Sequence, residues 1–278
     1  MLENDESKTM YWKAIESHRG RFYDLVTNKL KKHFEAEKEA ILKAYEANDD
    51  MAAMEKVINE QKKELSKILT ATDLKVIEYF GQSIMQQLKH EAALLEIKGP
   101  LNAFNVFASF VMKWIASTVA KKVVQISNTT MVAIQEIVKV GIGQGLGIKD
   151  IAKQIDKLYL EQIIPNRSIV IARTEVISAS NAGSRFGAIQ TGLPLQKEWI
   201  ETKDERTRET HTALNGVGGQ VRPRDEFYEL PSGVKLMHPG DPNGVAEGLT
   251  GKDAEKALAK EVIQCRCTEG YRVVKNKN

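Results

Sequence analysis

The sequence predicts an α+β protein: a long-helical N-terminal region, then a C-terminal domain of helices packed on a small irregular antiparallel sheet. Three observations carry this. Apolar residues recur at spacings of three, four and seven through the first hundred positions. From Gly141 to about residue 190 the chain reads as shorter helices punctuated by glycine and proline. After Pro194 the pattern shifts to loose alternation, with glycine, proline and aspartate crowding the chain. Domains are expected at 1–125, helical and coiled-coil-like, and at 126–278, α+β.

The helical stripe runs through Leu30, Phe34, Ile41, Tyr45, Met51, Met54, Ile58, Leu65, Ile68, Leu74, Ile77, Ile84, Leu88 and Leu95. So narrow a stripe on charged helices is close to a coiled-coil seam. It suits an antiparallel hairpin or docking arm, or equally an ordinary bundle. Asn48-Asp49-Asp50 is the expected first turn, Ala71-Thr72-Asp73 the cap of a third helix, and Gly99-Pro100 its end. Phe104, Phe107, Phe110 and Trp114 then fall at helical spacing and predict a core face. Ser127-Asn128-Thr129-Thr130 offers N-cap chemistry for a further helix over about 131–140.

Gly141-Ile142-Gly143-Gln144-Gly145-Leu146-Gly147 lacks both the GxGxxG order and a following Gly-Lys-Ser/Thr. It reads as a helix–helix turn, not a phosphate loop. Pro165-Asn166 predicts another turn, with Ser168 capping a helix over about 169–190 that Gly192 and Pro194 stop. Strands are expected at 195–202, around 220–222, 227–230 and 234–237, and through the Cys265-Arg266-Cys267 element to Val274. Turns are expected at Asn215-Gly216 and Gly218-Gly219, and a short helix over about 252–261.

Composition narrows the function classes. Forty basic against 37 acidic residues give a net charge of +3, so no strongly basic domain signals nucleic-acid binding. The acidic start has no apolar run after it, and Lys113, Lys121 and Lys122 interrupt the most apolar stretch. Neither a secretory signal nor a membrane span is expected. Two cysteines without an export signal fit a reducing cytoplasm.

Those two cysteines, Cys265 and Cys267, stand one residue apart. In an extended segment both leave the same face, a poor disulfide but a reasonable pair of ligands. With His211 and His238 they could complete a tetrahedral set for a structural zinc, although the wide gaps match no compact zinc finger. The alternatives are two buried thiols packed as small hydrophobes, or a cysteine–histidine nucleophile pair. Upstream, Thr202 to His211 opens with capping-box chemistry, Thr202 with Glu205, and Asp204 as a rival N-cap. Arg173 and Glu175, two apart on one helix, must reach different neighbours. Arg173, Glu175, Asp204, Arg206 and Arg208 are expected to form a structural polar network. The competing reading is an enzyme, ADP-ribosyltransferase- or nuclease-like, using Arg173, Glu175 and His211.

Taken in order, Ile171-Ala172-Arg173-Thr174-Glu175, Asn181-Ala182-Gly183, Trp199, Asp204-x-Arg206-Thr207-Arg208-x-x-His211-x-x-Leu214-x-Gly216, Pro239-Gly240-Asp241 and Cys265-Arg266-Cys267 resemble the Mu F-like minor head proteins of tailed bacteriophages. The resemblance covers about 130–274. Gln264 stands where the family more often has asparagine. The resemblance implies a non-enzymatic virion protein of head morphogenesis, in the capsid interior or at the portal vertex. It implies the portal protein as partner, with scaffold, major capsid protein and DNA as further contacts, and it lends no catalytic residue to any position. The helical stripe is expected to dock on such partners.

Overall fold

The computed structural model describes residues 4–48, 50–98, 102–202, 204–212, 214 and 221–274. The first two helices are each 44 residues long, α1 at Asp5–Asn48 and α2 at Met51–Leu94. Then follow α3 (Ser109–Gly143), α4 (Ile148–Leu158), a π-helical segment (Tyr159–Arg167), α5 (Ser168–Gln190), β1 (Leu195–Ile200), α6 (Glu209–Thr212), β2 (Val221–Pro223), β3 (Tyr228–Glu229), β4 (Val234–Leu236), β5 (Val245–Ala246), α7 (Gly251–Val262) and β6 (Thr268–Val273). The α+β expectation holds. Among the described residues no helix is long and apolar enough to cross a membrane.

Two compact units divide the chain. One comprises Met1–Phe22, Asp73–Met112 and Arg173–Asn278, the other Tyr23–Thr72 and Lys113–Ala172. Residue 125 itself lies within α3. In the second unit Leu30, Phe34, Ile41, Tyr45, Met54, Ile58 and Leu65 of the stripe are buried, as are Ile115, Val119, Ile134, Val138, Ile151 and Ile155. The stripe is therefore consumed by the protein's own core. It is not a surface held open for a partner, as the docking expectation required.

Three expected breaks are absent. Thr72 and Asp73 lie inside α2, where Thr72 Oγ1 donates to Ile68 O at 2.8 Å. Thr129 and Thr130 lie inside α3, donating to Gln125 O and Ile126 O at 2.7 and 3.3 Å. Each hydroxyl is satisfied by the carbonyl four residues back, so these side chains need not cap anything. Pro165 sits within the π-helical segment that joins α4 to α5 without a turn, and Ser168 Oγ donates to Ile163 O at 3.3 Å instead of capping α5. The wider π spacing relieves the clash that proline makes with an α-helical carbonyl.

The aromatic face also fails. α3 begins only at Ser109, Phe107 is 71% exposed, and Phe110 packs edge-on against Phe186 at 5.5 Å. The glycine-rich turn does form: Gly145 has φ +70°, and Leu146 N–H closes on Gly141 O at 2.9 Å. The turns expected at Asp49, Gly99-Pro100, Asn215-Gly216 and Gly218-Gly219 lie outside the described residues.

The first unit holds two three-stranded antiparallel sheets where one was expected, ordered β2-β1-β6 and β3-β4-β5. β1 is central, with Glu198 opposite both Val221 and Gly270. Lys197 on β1 is buried, reaches Met237 O at 2.6 Å and lies 4.4 Å over the Tyr228 ring, so it links the first sheet to the second. The Cys-Arg-Cys element precedes β6 and is not part of it. In the same unit α2 and α5 approach closely, and a Cβ on Gly187 would lie 2.3 Å from Gly81 O.

Within the second unit, Tyr159 OH donates to Glu37 Oε1 at 2.8 Å, and His33 Nε2 lies 3.7 Å from Glu37 Oε2. Burial pushes Glu37 up to about 7 and His33 down to about 4. A carboxyl raised in the folded state contributes stability that is full below its unfolded value and is lost as pH rises through about 7. Glu37→Gln, which keeps the acceptor for Tyr159, should therefore gain on wild type by about 1–3 kcal/mol between pH 5.5 and 8.5 in urea denaturation. Gly187→Ala should cost about 1–3 kcal/mol through the α2–α5 clash. Gly143→Ala, whose added Cβ meets nothing within 4 Å, should stay within roughly 0.5 kcal/mol.

Candidate functional site

α7 ends at Val262, and Gln264 then takes φ +58°, an uncommon conformation for a side chain with a Cβ. Its N–H is held by Thr174 Oγ1 at 3.1 Å, and Cys265 N–H returns to Val262 O at 3.1 Å. This reversal turns Cys265 and Cys267 inward together. His211 arrives on the short α6, and its Nδ1 lies 3.8 Å from Cys265 Sγ and 3.5 Å from Cys267 Sγ. All three are buried, and their ligand atoms lie within 4.8 Å of one another. Trp199 stands edge-on to the imidazole at 5.1 Å, and the same core contains Tyr228, Leu236 and Leu258.

Behind the ring, His211 Nε2 lies 3.1 Å from Glu261 Oε2, an ion-pair contact whose alignment falls short of a hydrogen bond. Thr210 Oγ1 donates to the same carboxylate oxygen at 2.8 Å. Burial alone would lower His211, but Cys265 and Glu261 outweigh it and raise the imidazole to about 9. Glu261 is pulled down to about 2: burial raises it, and His211, Ser232 and Thr210 more than offset that. The thiols split, Cys265 being lowered by the hydrogen bond from Cys267, and Cys267 raised by burial and by Cys265. In chemical terms the group can share a proton or hold a cation. Burial of both sulfurs closes it to a substrate and leaves the nucleophile reading unsupported.

The backbone of this tripeptide is held from the other side. Arg19 of α1, wholly buried, donates through Nε to Ser180 Oγ at 2.8 Å and through Nη2 to Asn181 Oδ1 at 2.9 Å. Its Nη1 and Nη2 also reach Arg266 O and Cys267 O at 3.4 and 3.5 Å. Trp12 Nε1 donates to Arg266 O at 2.9 Å. Asn181 Nδ2 donates to Pro239 O and Cys267 O at 2.8 and 3.1 Å, and its Oδ1 also accepts from Thr268 Oγ1. None of Arg19, Trp12 and Glu261 was singled out from sequence. They sit in helices whose local pattern is ordinary, and only the three-dimensional meeting shows their role.

His238 does not join the cysteines. Its Nδ1 lies 3.2 Å from Pro239 O and its Nε2 3.9 Å from Asp241 Oδ1, in a turn whose Asp241 carboxylate accepts from Met237 N–H and Asn243 N–H. The expected capping box is also absent. Thr202 Oγ1 bonds Thr207 Oγ1, Asp204 Oδ1 accepts from Arg206 N–H at 3.0 Å, and the helix starts only at Glu209.

The five-residue polar set divides. Arg173, Arg206 and Arg208 line one cleft of about 620 Å³ together with Lys256, Lys260 and Arg266. Asp204 takes the Arg266 guanidinium on both oxygens, with Nη1 at 2.6 Å from Oδ2, which holds its carboxyl down at about 2. Glu175 is buried elsewhere in α5. The cleft that contains Arg173 thus includes neither Glu175 nor His211, so the enzyme reading lacks its shared pocket.

Residues 132–269 match the model of the phage Mu protein F like family. That segment of the chain is phage Mu F-like. No curated protein and no solved structure matches the chain. The family is one of phage head morphogenesis, and the match suggests a head-assembly protein with a structural role. The Mu F-like segment holds the His–Cys–Cys group, Asn181 and every residue lining the cationic cleft. Trp12 and Arg19, which clamp its Cys-Arg-Cys backbone, come from outside it.

Asn181→Leu removes one buried hydrogen-bond partner from each of Pro239 O, Cys267 O and the Arg19 guanidinium, and should cost about 3 kcal/mol in chemical denaturation. Asp204→Asn removes an exposed ion pair with Arg266 and should cost less than about 1 kcal/mol.

Proposed function

We propose that the protein is a minor head component assembled at the portal vertex, inside the capsid, where its Mu F-like domain lies against packaged or departing DNA. The observation that carries the DNA contact is the cleft of Arg173, Arg206, Arg208, Lys256, Lys260 and Arg266. Within it only Arg206 and Arg266 pair with a carboxylate, that of Asp204; Arg173, Lys256 and Lys260 make no ion pair among the described residues. Lys252, Lys256 and Lys260 fall four apart along α7, a like-charge row that costs the isolated helix a few tenths of a kcal/mol per pair, about 0.2–0.5. A phosphodiester backbone offsets that repulsion and is bound without regard to sequence. The overall charge of +3 hides this patch because it is local.

Contact with the portal protein, and with scaffold or coat subunits, rests on the family. The apolar side chains of Val124, Val132, Val140 and Ile142, exposed on α3, support such a contact. Co-expression with the phage portal should give co-purification, and the protein should be found in purified virions. Failure of both would remove the assembly reading. For the cleft, Lys256→Glu with Lys260→Glu should reduce the slope of log affinity against log salt on duplex DNA by about 2. Absence of DNA retention by the wild-type chain at low salt, or a slope unchanged in the variant, would remove the DNA contact.

A further inference from the structure

We propose that His211, Cys265 and Cys267 form a binding site for one thiophilic divalent cation of the zinc class, which clasps α6 to the segment that leads into β6. In a tetrahedral zinc site, Zn–S bonds of about 2.3 Å and Zn–N bonds of about 2.0–2.1 Å put nitrogen and sulfur about 3.6 Å apart. The observed Nδ1–Sγ distances are 3.8 and 3.5 Å. An ion therefore fits between these atoms with movements of a few tenths of an ångström.

Hydrogen bonding alone accounts poorly for the arrangement. Two sulfurs converge on one ring nitrogen, whereas a single nitrogen shares one proton well. A cation accepts an electron pair from each of the three atoms at once. The surroundings point the same way. Glu261 Oε2 stands 3.1 Å from His211 Nε2, and a carboxylate behind the ring is the usual companion of a metal-binding histidine, fixing which nitrogen faces the ion. Thr210 in turn holds that carboxylate. The left-handed backbone of Gln264, uncommon for a residue with a Cβ, aims both sulfurs into the same space. Both cysteines are free thiols and both are buried.

His238 lies outside the set, which leaves the fourth tetrahedral position to water. The consequence is architectural. β6 pairs with the central β1, so an ion at its entrance ties the α6 turn and the end of α7 to the first sheet.

The test uses the full chain, without a histidine tag, purified under reducing conditions and kept folded by circular dichroism. Elemental analysis should find about one zinc per chain. Replacement by cobalt(II) should give a thiolate-to-cobalt charge-transfer band. Cys265→Ser with Cys267→Ser should reduce the metal content at least tenfold, and His238→Ala should leave it near one. A folded, reduced wild-type chain that takes up no zinc from an equimolar solution would overturn the proposal whatever the variants do, and so would a folded double-serine variant that retains full zinc. The DNA and assembly readings do not depend on either result.

Discussion

A guanidinium with no contact to water sits where α1, α5 and the Cys-Arg-Cys segment meet. Burying the Arg19 charge is costly unless its donors are paired. Here they go to Ser180, Asn181 and the carbonyls of Arg266 and Cys267, with Glu16 at 3.6 Å. The fork shape of arginine matters, because one side chain serves acceptors on α5 and on the Cys-Arg-Cys segment at once. Asn181 completes the junction by bonding Pro239 O and Cys267 O. Thus α1, α5, the His238–Asp241 turn and the entrance to β6 meet at two side chains. The position of β6, and with it the sheet around β1, depends on that meeting.

From this anchor the tripeptide works in two directions. Extended backbone sends alternate side chains to opposite faces. Cys265 and Cys267 turn into the core beside Trp199 and His211, while Arg266 faces the cationic cleft and grips Asp204. A single short element therefore closes the small domain and shapes its charged surface. Helix α1, which lies outside the Mu F-like segment, supplies through Trp12 and Arg19 hydrogen bonds to the Arg266 carbonyl.

Much of the fold was legible because simple local chemistry ruled. The Gly141–Gly147 turn needed a left-handed glycine, and Gly192 stopped α5 for the same reason. Strands at 195–200, 228–229 and 234–236 followed from alternation between turn residues. Local signals misled where the helix could absorb them. Threonines at 72, 129 and 130 turned their hydroxyls back to their own helices, and Pro165 was accommodated by π spacing. The aromatic row at 104–114 misled because its spacing was helical while its first members precede the helix. At the site, the i, i+2 spacing put both thiols on one face, whereas their meeting with His211, one of two candidate histidines, is set by the fold. His238 was misassigned because its ligand-like loop context is in fact a tight turn organised by Asp241. Glu261 was invisible, since one glutamate on a charged helix carries no signal until the fold puts His211 beside it.

The central claim is that Arg19 and Asn181 act as one junction. A double-mutant cycle by equilibrium denaturation, with Arg19→Met and Asn181→Ala alone and together, measures their coupling directly. The two side chains bond each other and both reach Cys267 O, so a coupling of about 1–3 kcal/mol is expected, with the second substitution costing much less once the first is made. Losses that add within roughly 0.5 kcal/mol would show that the two side chains act independently, contradicting a shared anchor for the Cys-Arg-Cys segment.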